Sequence, residues 1–171
     1  MSSIWLDILL LFLLVLANGW FAMVEIAVVS ARKAKLQVLA RKGNARAQEA
    51  LALLTQPSRF LATVQIGISL VGVFAGAFGG ATIAEKLAVY FRSVPLLAEY
   101  SELLGLIVVV AGITYLSLVV GELVPKHVAL RNPERVTLLF VRPLRWLLLL
   151  SYPAVRFLSA SSDGIMKMMR L

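Results

Sequence analysis

Apolar residues along this chain gather into three runs, residues 4–30, 60–84 and 103–124, each long enough to cross a hydrocarbon core, which takes roughly 20 residues of helix. Pro57 marks the break before the second run, and Pro125 is read as the stop of the third. The first run begins close to Met1, has no basic flank or small-residue cleavage site, and outlasts the apolar length of a signal peptide, so it is expected to be a retained span. Between the first two runs, Leu36, Leu39, Ala40, Ala47, Ala50, Leu51 and Leu54 follow helical spacing while Arg41, Lys42, Arg46 and Glu49 take the other faces. That pattern predicts an amphipathic helical region over 33–55 with a break near Gly43-Asn44. Residues 138–158 look at first like a fourth span, but Pro143 and Pro153 interrupt them. Arg142, Arg145 and Arg156 would each cost about 2.5 to 3.5 kcal/mol at the bilayer centre. The expectation is a juxtamembrane belt over 133–170, made of short amphipathic helices punctuated by Pro133, Pro143 and Pro153, with Trp146 and Tyr152 at headgroup level. The predicted fold class is an all-α membrane protein.

Composition agrees with this and narrows the chemistry. With 60% hydrophobic residues, 15% charged and a mean hydropathy of +0.89, an ordinary soluble domain is excluded. The absence of cysteine removes disulfides, thiolate clusters and cysteine nucleophiles, and the single histidine, His127, excludes a multi-histidine metal site. A net charge of +8 would suggest nucleic acid in a soluble protein, but here the basic residues flank apolar runs, so no nucleic-acid partner is expected. Seven of them lie between residues 32 and 59 and eight after Val124, whereas the stretch 85–102 sets Lys86 and Arg92 against Glu85, Glu99 and Glu102. Because Lys- and Arg-rich short loops stay in the cytoplasm, the N-terminus is expected outside and the C-terminus inside a cell inner (plasma) membrane.

Polar residues inside spans are functional candidates by default. Asn18 and Glu25, seven apart, return to nearly the same face of the first helix. An ionised Glu25 needs a cation, a basic side chain or a proton, and all three remain open. In the second run Gly72, Gly76 and Gly80 form small-xxx-small steps that let another backbone approach, and Gln65 and Ser69 continue that ridge. Gly67, between Gln65 and Ser69, suggests loosened helix that turns carbonyl oxygens toward an ion. In the third run Pro125 removes the N–H that would bond the carbonyl of Gly121, freeing an oxygen beside the Glu122 carboxylate. Oxygens of this kind suit Mg²⁺ or Ca²⁺. The plainer alternative pairs Glu122 with Lys126 four residues on, a geometry the intervening proline is expected to disturb.

Three segments carry a resemblance: Thr63-Val64-Gln65-Ile66-Gly67 through Gly80; Gly121-Glu122-Leu123-Val124-Pro125-Lys126 with Asn132-Pro133-Glu134-Arg135; and Asn18-Gly19-Trp20-Phe21 with Glu25. Together they resemble the transmembrane domain of the CorC/CNNM (cyclin M) magnesium transporters over essentially the whole chain. The resemblance implies a homodimer with three transmembrane helices per subunit and a cytoplasmic-side helical belt. It implies Mg²⁺ export coupled to Na⁺ entry through a largely dehydrated Mg²⁺ site. The ion ligands it carries over are Ser69, the Gly121 carbonyl and Glu122, with Pro125 and Lys126 at the kink or gate. Asn18, Glu25, Gln65, Gly67, Thr114 and Ser117 fall to a supporting or Na⁺-coupling role. Some relatives carry serine at the position of Val24 and asparagine at that of Gly72. Members usually continue into cytoplasmic CBS domains and a further small domain, which lie beyond Leu171 if the same plan holds. The alternatives are a Mg²⁺ channel or sensing module without coupled transport, and an anchoring module whose polar residues only pack. No nucleophile and base pair points to an enzyme.

Overall fold

A chain surrounded by hydrocarbon must satisfy its backbone N–H and C=O groups within itself, and helices do so locally. The computed structural model describes residues 4–169, the side chain of Ala81 excepted, and among them is all-helical with no strand. The helices are α1 (Ile4–Ser30), α2 (Lys33–Arg41), α3 (Ala45–Leu53), α4 (Pro57–Phe78), α5 (Ala84–Arg92), α6 (Ser101–Leu118), α7 (Val124–Arg131), α8 (Pro133–Leu150) and α9 (Tyr152–Met168). Two single π-helical turns, Gly79–Ile83 and Val119–Leu123, join neighbours without breaking the helical path, and a 3₁₀ turn, Ala98–Tyr100, leads into α6. Three stretches have the length and apolarity of a span, namely Ile4–Ser30, Pro57–Phe78 and the continuous Ala98–Arg131; a fourth arises if α8 and α9, bent by 63° at their junction, count as one.

The structure changes the sequence reading at three points. Pro125 does not stop the third span, because the π turn before it takes up the lost hydrogen bond and the helix runs on to Arg131. Pro143 does not punctuate the belt: α8 continues through it, held by a stripe of Glu134, Thr137, Val141, Leu144 and Leu148 buried on another face. The helix around Gly67 is not loosened; α4 is regular from Pro57 to Phe78, and the irregular turn falls instead at Gly79–Ile83.

The chain divides into two packed units. In the first, made of residues 4–23 and 68–128, α5 and α6 form a hairpin whose closeness depends on Gly105: a Cβ there would lie 2.8 Å from the Ala84 carbonyl oxygen and 3.0 Å from the Ala88 nitrogen. Gly79 is similarly fitted against Ile113 of α6, and the Thr82 hydroxyl donates to the Phe78 carbonyl at 2.5 Å inside that π turn. Buried Asp7 pairs with Lys86, and Arg92 with Glu102.

In the second unit, residues 24–67 and 129–169, α2 and α3 fold back on each other across Gly43, whose φ of +84° is the left-handed value that glycine adopts freely, and Asn44 caps α3 by accepting from the Ala47 N–H at 3.2 Å. Leu36, Ala50 and Val141 form the core where α2, α3 and α8 meet. Beside it Arg32 and Lys35 both hold the buried carboxylate of Glu134 at 3.0 Å. Burial alone would push the Glu134 carboxyl up, but the hydrogen bonds from Arg32 and Lys35 outweigh it and hold the group down at about 2.

Candidate functional site

The polar groups of the first unit converge where α1 crosses the π turn of the third span. That turn follows from the sequence around it. Pro125 has no N–H to offer the carbonyl four residues back, and the Val124 N–H bonds instead to the Val119 carbonyl, five back. The turn thus holds one residue more than a regular helix, and the donor that Pro125 lacks is the one the Gly121 carbonyl would meet four residues on. Two glycines bring α1 against this turn. A Cβ on Gly19 would sit 3.0 Å from Cγ of Pro125 and 3.2 Å from the Val120 carbonyl oxygen, and a Cβ on Gly121 would sit 3.2 Å from the Val15 carbonyl oxygen. At that distance Asn18 reaches across, and its Nδ2 donates to the Gly121 carbonyl at 3.0 Å.

Glu122 stands next to this contact and turns back along its own helix, its Oε1 accepting from Lys126 Nζ at 2.6 Å. The plain i, i+4 pairing therefore forms in spite of Pro125. Its side chains are 41% and 30% exposed, so the pair is open to an arriving cation rather than sealed in the interior. His127 is turned away from this chemistry, its Nδ1 lying 2.8 Å from the Leu123 carbonyl one turn back. A backbone carbonyl has two lone pairs, of which the Asn18 amide uses one. The crossing thus offers a neutral oxygen and an ionic oxygen on adjacent residues, each held by a nitrogen donor.

Of the residues expected to act together, Asn18, Gly121, Glu122, Pro125 and Lys126 meet at this crossing. Ser117 is half-buried and Thr114 exposed, on α6 leading into the π turn, and Ser69 is exposed on α4; none is hydrogen-bonded to the Asn18–Gly121 contact among the described residues. Glu25, Gln65 and Gly67 belong to the second unit. There Glu25 is half-buried with no ion-pair partner among the described residues, Gln65 is exposed and Gly67 is half-buried. No three His, Cys, Asp or Glu side chains cluster among the described residues, so a metal ion at the crossing would draw, besides Glu122, on backbone and neutral oxygens. The sequence reading missed the part played by Gly19. Its signal was a small residue inside an apolar run beside a polar one, which is what a close helix crossing in lipid requires.

Comparison with known proteins places the chain in a family. The model of the cyclin M transmembrane N-terminal domain matches residues 8–171. A UPF0053 protein of Synechocystis is 46% identical over 98% of this chain, and a UPF0053 protein of Bacillus subtilis, YhdP, is 30% identical over 94%. The polyamine export protein of Escherichia coli is 32% identical over 96%. The chain spans about 37% of the length of the Synechocystis and Escherichia coli proteins. It belongs to the cyclin M (UPF0053) family, a family of membrane domains and not of enzymes.

Proposed function

We propose that this chain is the membrane domain of a cation exporter, with Mg²⁺ as cargo and Na⁺ entry as the coupled step. The observation that carries the reading is the Gly121 carbonyl, held by the Asn18 amide across the crossing on the residue next to Glu122. A Mg²⁺ ion needs oxygen ligands near 2.0 to 2.1 Å in octahedral array and gives up water reluctantly, so one anionic oxygen and one carbonyl would leave most of its shell to water and to hydroxyls such as Ser69.

Lys126 supplies the charge balance in the absence of cargo. Its ammonium occupies the place beside Glu122 that a metal ion would take, so loading and release become an exchange of one cation for another. In such an exchange neither state leaves a bare carboxylate in the membrane, which is the costly alternative. Glu25, Asn18, Thr114 and Ser117 are assigned to Na⁺ or to support of the site, and the exposed ridge of Gln65, Ser69, Gly72 and Gly76 to contact with a second subunit of a homodimer. The N-terminus lies outside and the C-terminus in the cytoplasm, with α8 and α9 as the belt at the inner face.

A second reading is that the cargo is a polyamine. The Escherichia coli relative is named for polyamine export, and the group that Glu122 already holds here, the primary ammonium of Lys126, is the group that ends a polyamine. Reconstituted vesicles separate the readings. Mg²⁺ efflux that responds to an imposed Na⁺ gradient and is lost in Glu122→Gln supports the exporter. Efflux that ignores Na⁺ supports a channel, and spermidine movement without Mg²⁺ movement supports the polyamine. Full Mg²⁺ transport by Glu122→Gln would remove the site from consideration.

A further inference from the structure

Away from the crossing, the second unit contains a basic cavity for which the transport reading has no use. Arg59 lies in the first turn of α4, its guanidinium carbon 4.6 Å above the Tyr152 ring, while its Nε is buried with no hydrogen-bond partner among the described residues. A buried guanidinium N–H without an acceptor is costly, and the direction of the cost says what is missing: an anionic oxygen. The backbone makes the same demand. The first turn of α4 carries no acidic residue, so its positive dipole end stands beside a cation instead of an anion.

Arg59 opens with Arg145 onto a cavity of about 160 Å³ whose remaining walls are largely apolar, among them Leu53, Phe60, Leu148 and Leu149. A second cavity of about 420 Å³ shares Arg145 and Leu149 and adds Arg142, Trp146 and Glu49. Glu49 is the one acid in these walls, and it is directed at Arg142, with Oε1 3.9 Å from Nε and its other oxygen unpaired. Among the described residues Arg59 and Arg145 have no countercharge. Trp146, Leu149 and Leu150 are exposed next to them, an apolar rim that a free inorganic anion would not need.

We propose that this cavity binds the phosphate of an anionic phospholipid, with Arg59 and Arg145 as its clamp and the acyl chains lying along the Leu148–Leu150 face of α8. Guanidinium forks match phosphate oxygens, and basic pockets beside transmembrane helices recruit anionic headgroups in this way. Thr63 fixes the site from the far side: its hydroxyl lies 3.0 Å from that of Ser151, which holds the start of α4 against the α8–α9 corner. A bound lipid would therefore brace the joint at which the second span meets the belt.

The test is a titration of the purified chain with short-chain phosphatidylglycerol, read by thermal stability and by native mass spectrometry. Phosphatidylcholine of the same chain length and inorganic phosphate form the comparison arms. Phosphatidylglycerol is expected to stabilise the protein and remain bound, and phosphatidylcholine is not. Arg145 is exposed, so Arg145→Gln keeps the fold and is expected to weaken phosphatidylglycerol about fivefold, whereas Lys42→Gln, at the residue after α2 and outside both cavities, leaves it unchanged. Arg59→Gln should lose at least as much as Arg145→Gln. Equal binding of the two lipids, undiminished binding by Arg145→Gln, or full displacement of phosphatidylglycerol by inorganic phosphate would each overturn the proposal, the last in favour of a free-anion site.

Discussion

Replacing Asn18 by Asp leaves shape and volume nearly unchanged and reverses one property, since a nitrogen that donates to the Gly121 carbonyl becomes an oxygen that repels it. The bond at stake is 3.0 Å long and partly buried. Hydrogen bonds between membrane helices are worth about 0.6 kcal/mol on average and up to about 1.7. Leaving the carbonyl unpaired adds a desolvation cost of about 1 to 3 kcal/mol. Asn18→Ala should therefore destabilise the crossing by about 2 to 4 kcal/mol, and Asn18→Asp by more, because the two oxygens now face each other. In a chain of this size each kcal/mol shifts the melting temperature by roughly 2 to 4 °C. The variants diverge when Mg²⁺ is added. In Asn18→Asp the carboxylate, the Gly121 carbonyl and Glu122 form a three-oxygen site, and millimolar Mg²⁺ is expected to restore the lost melting temperature. Asn18→Ala has no such set and should not recover. Melting of both variants in nanodiscs, with and without Mg²⁺, decides the matter. If both melt like the parent, the Asn18 amide is not holding the carbonyl; if both lose stability but neither responds to Mg²⁺, the crossing is packing and not an ion site.

Other expectations follow from the same coordinates. Lys126→Met removes the cation that competes for Glu122, so Mg²⁺ should produce a larger thermal shift than in the parent, and a smaller one would mean that Lys126 helps to bind the cargo instead of balancing its absence. Gly105→Ala drives a methyl against the Ala84 carbonyl and the Ala88 nitrogen, both backbone atoms that cannot turn aside, and should cost about 1 to 3 kcal/mol in a melting experiment, with Gly112→Ala, which meets nothing within 4 Å, as the neutral comparison. Glu134 has its pKa lowered from 4.5 to about 2, so its ion pairs contribute stability that is fully present above pH 4.5 and fades as pH falls toward 2. Glu134→Gln should flatten that part of the pH–stability curve, and an unchanged curve would show that the Arg32–Glu134–Lys35 cluster contributes nothing.

Much of this architecture can be read from the chain because hydrocarbon imposes a simple demand. The run that became α1 is continuous and uncharged apart from Asp7 and Glu25, and Gly43-Asn44 carries the conformational and capping chemistry that ends one short helix and starts the next. Proline was the misleading signal. At Pro125 and Pro143 the local rule says stop, and in both places something non-local decides: a π turn absorbs the missing bond in one case and a buried stripe on α8 carries the helix through in the other. Gly67 misled in the opposite sense, since a glycine within a long apolar helix does not by itself loosen it. The half of the site nearest in sequence, Gly121 to Lys126, was legible as a cluster of oxygens beside a proline. The donor that Asn18 brings to it, the close fit of Gly19, and the grip of Arg32 and Lys35 on Glu134 join residues about a hundred positions apart, and no local pattern encodes such partners.

The π turn at Val119–Leu123 is a helix holding one residue more than its pitch allows. Such a surplus can be stored one position earlier or later with the helix otherwise whole, and moving it past Glu122 would swing that side chain by about 100°. The carboxylate could then change which side of the membrane domain it addresses with no hinge and no rigid-body swing. The motion would cost the Asn18 hydrogen bond and the Glu122–Lys126 ion pair, so the amide that holds the carbonyl is also one latch on the bulge.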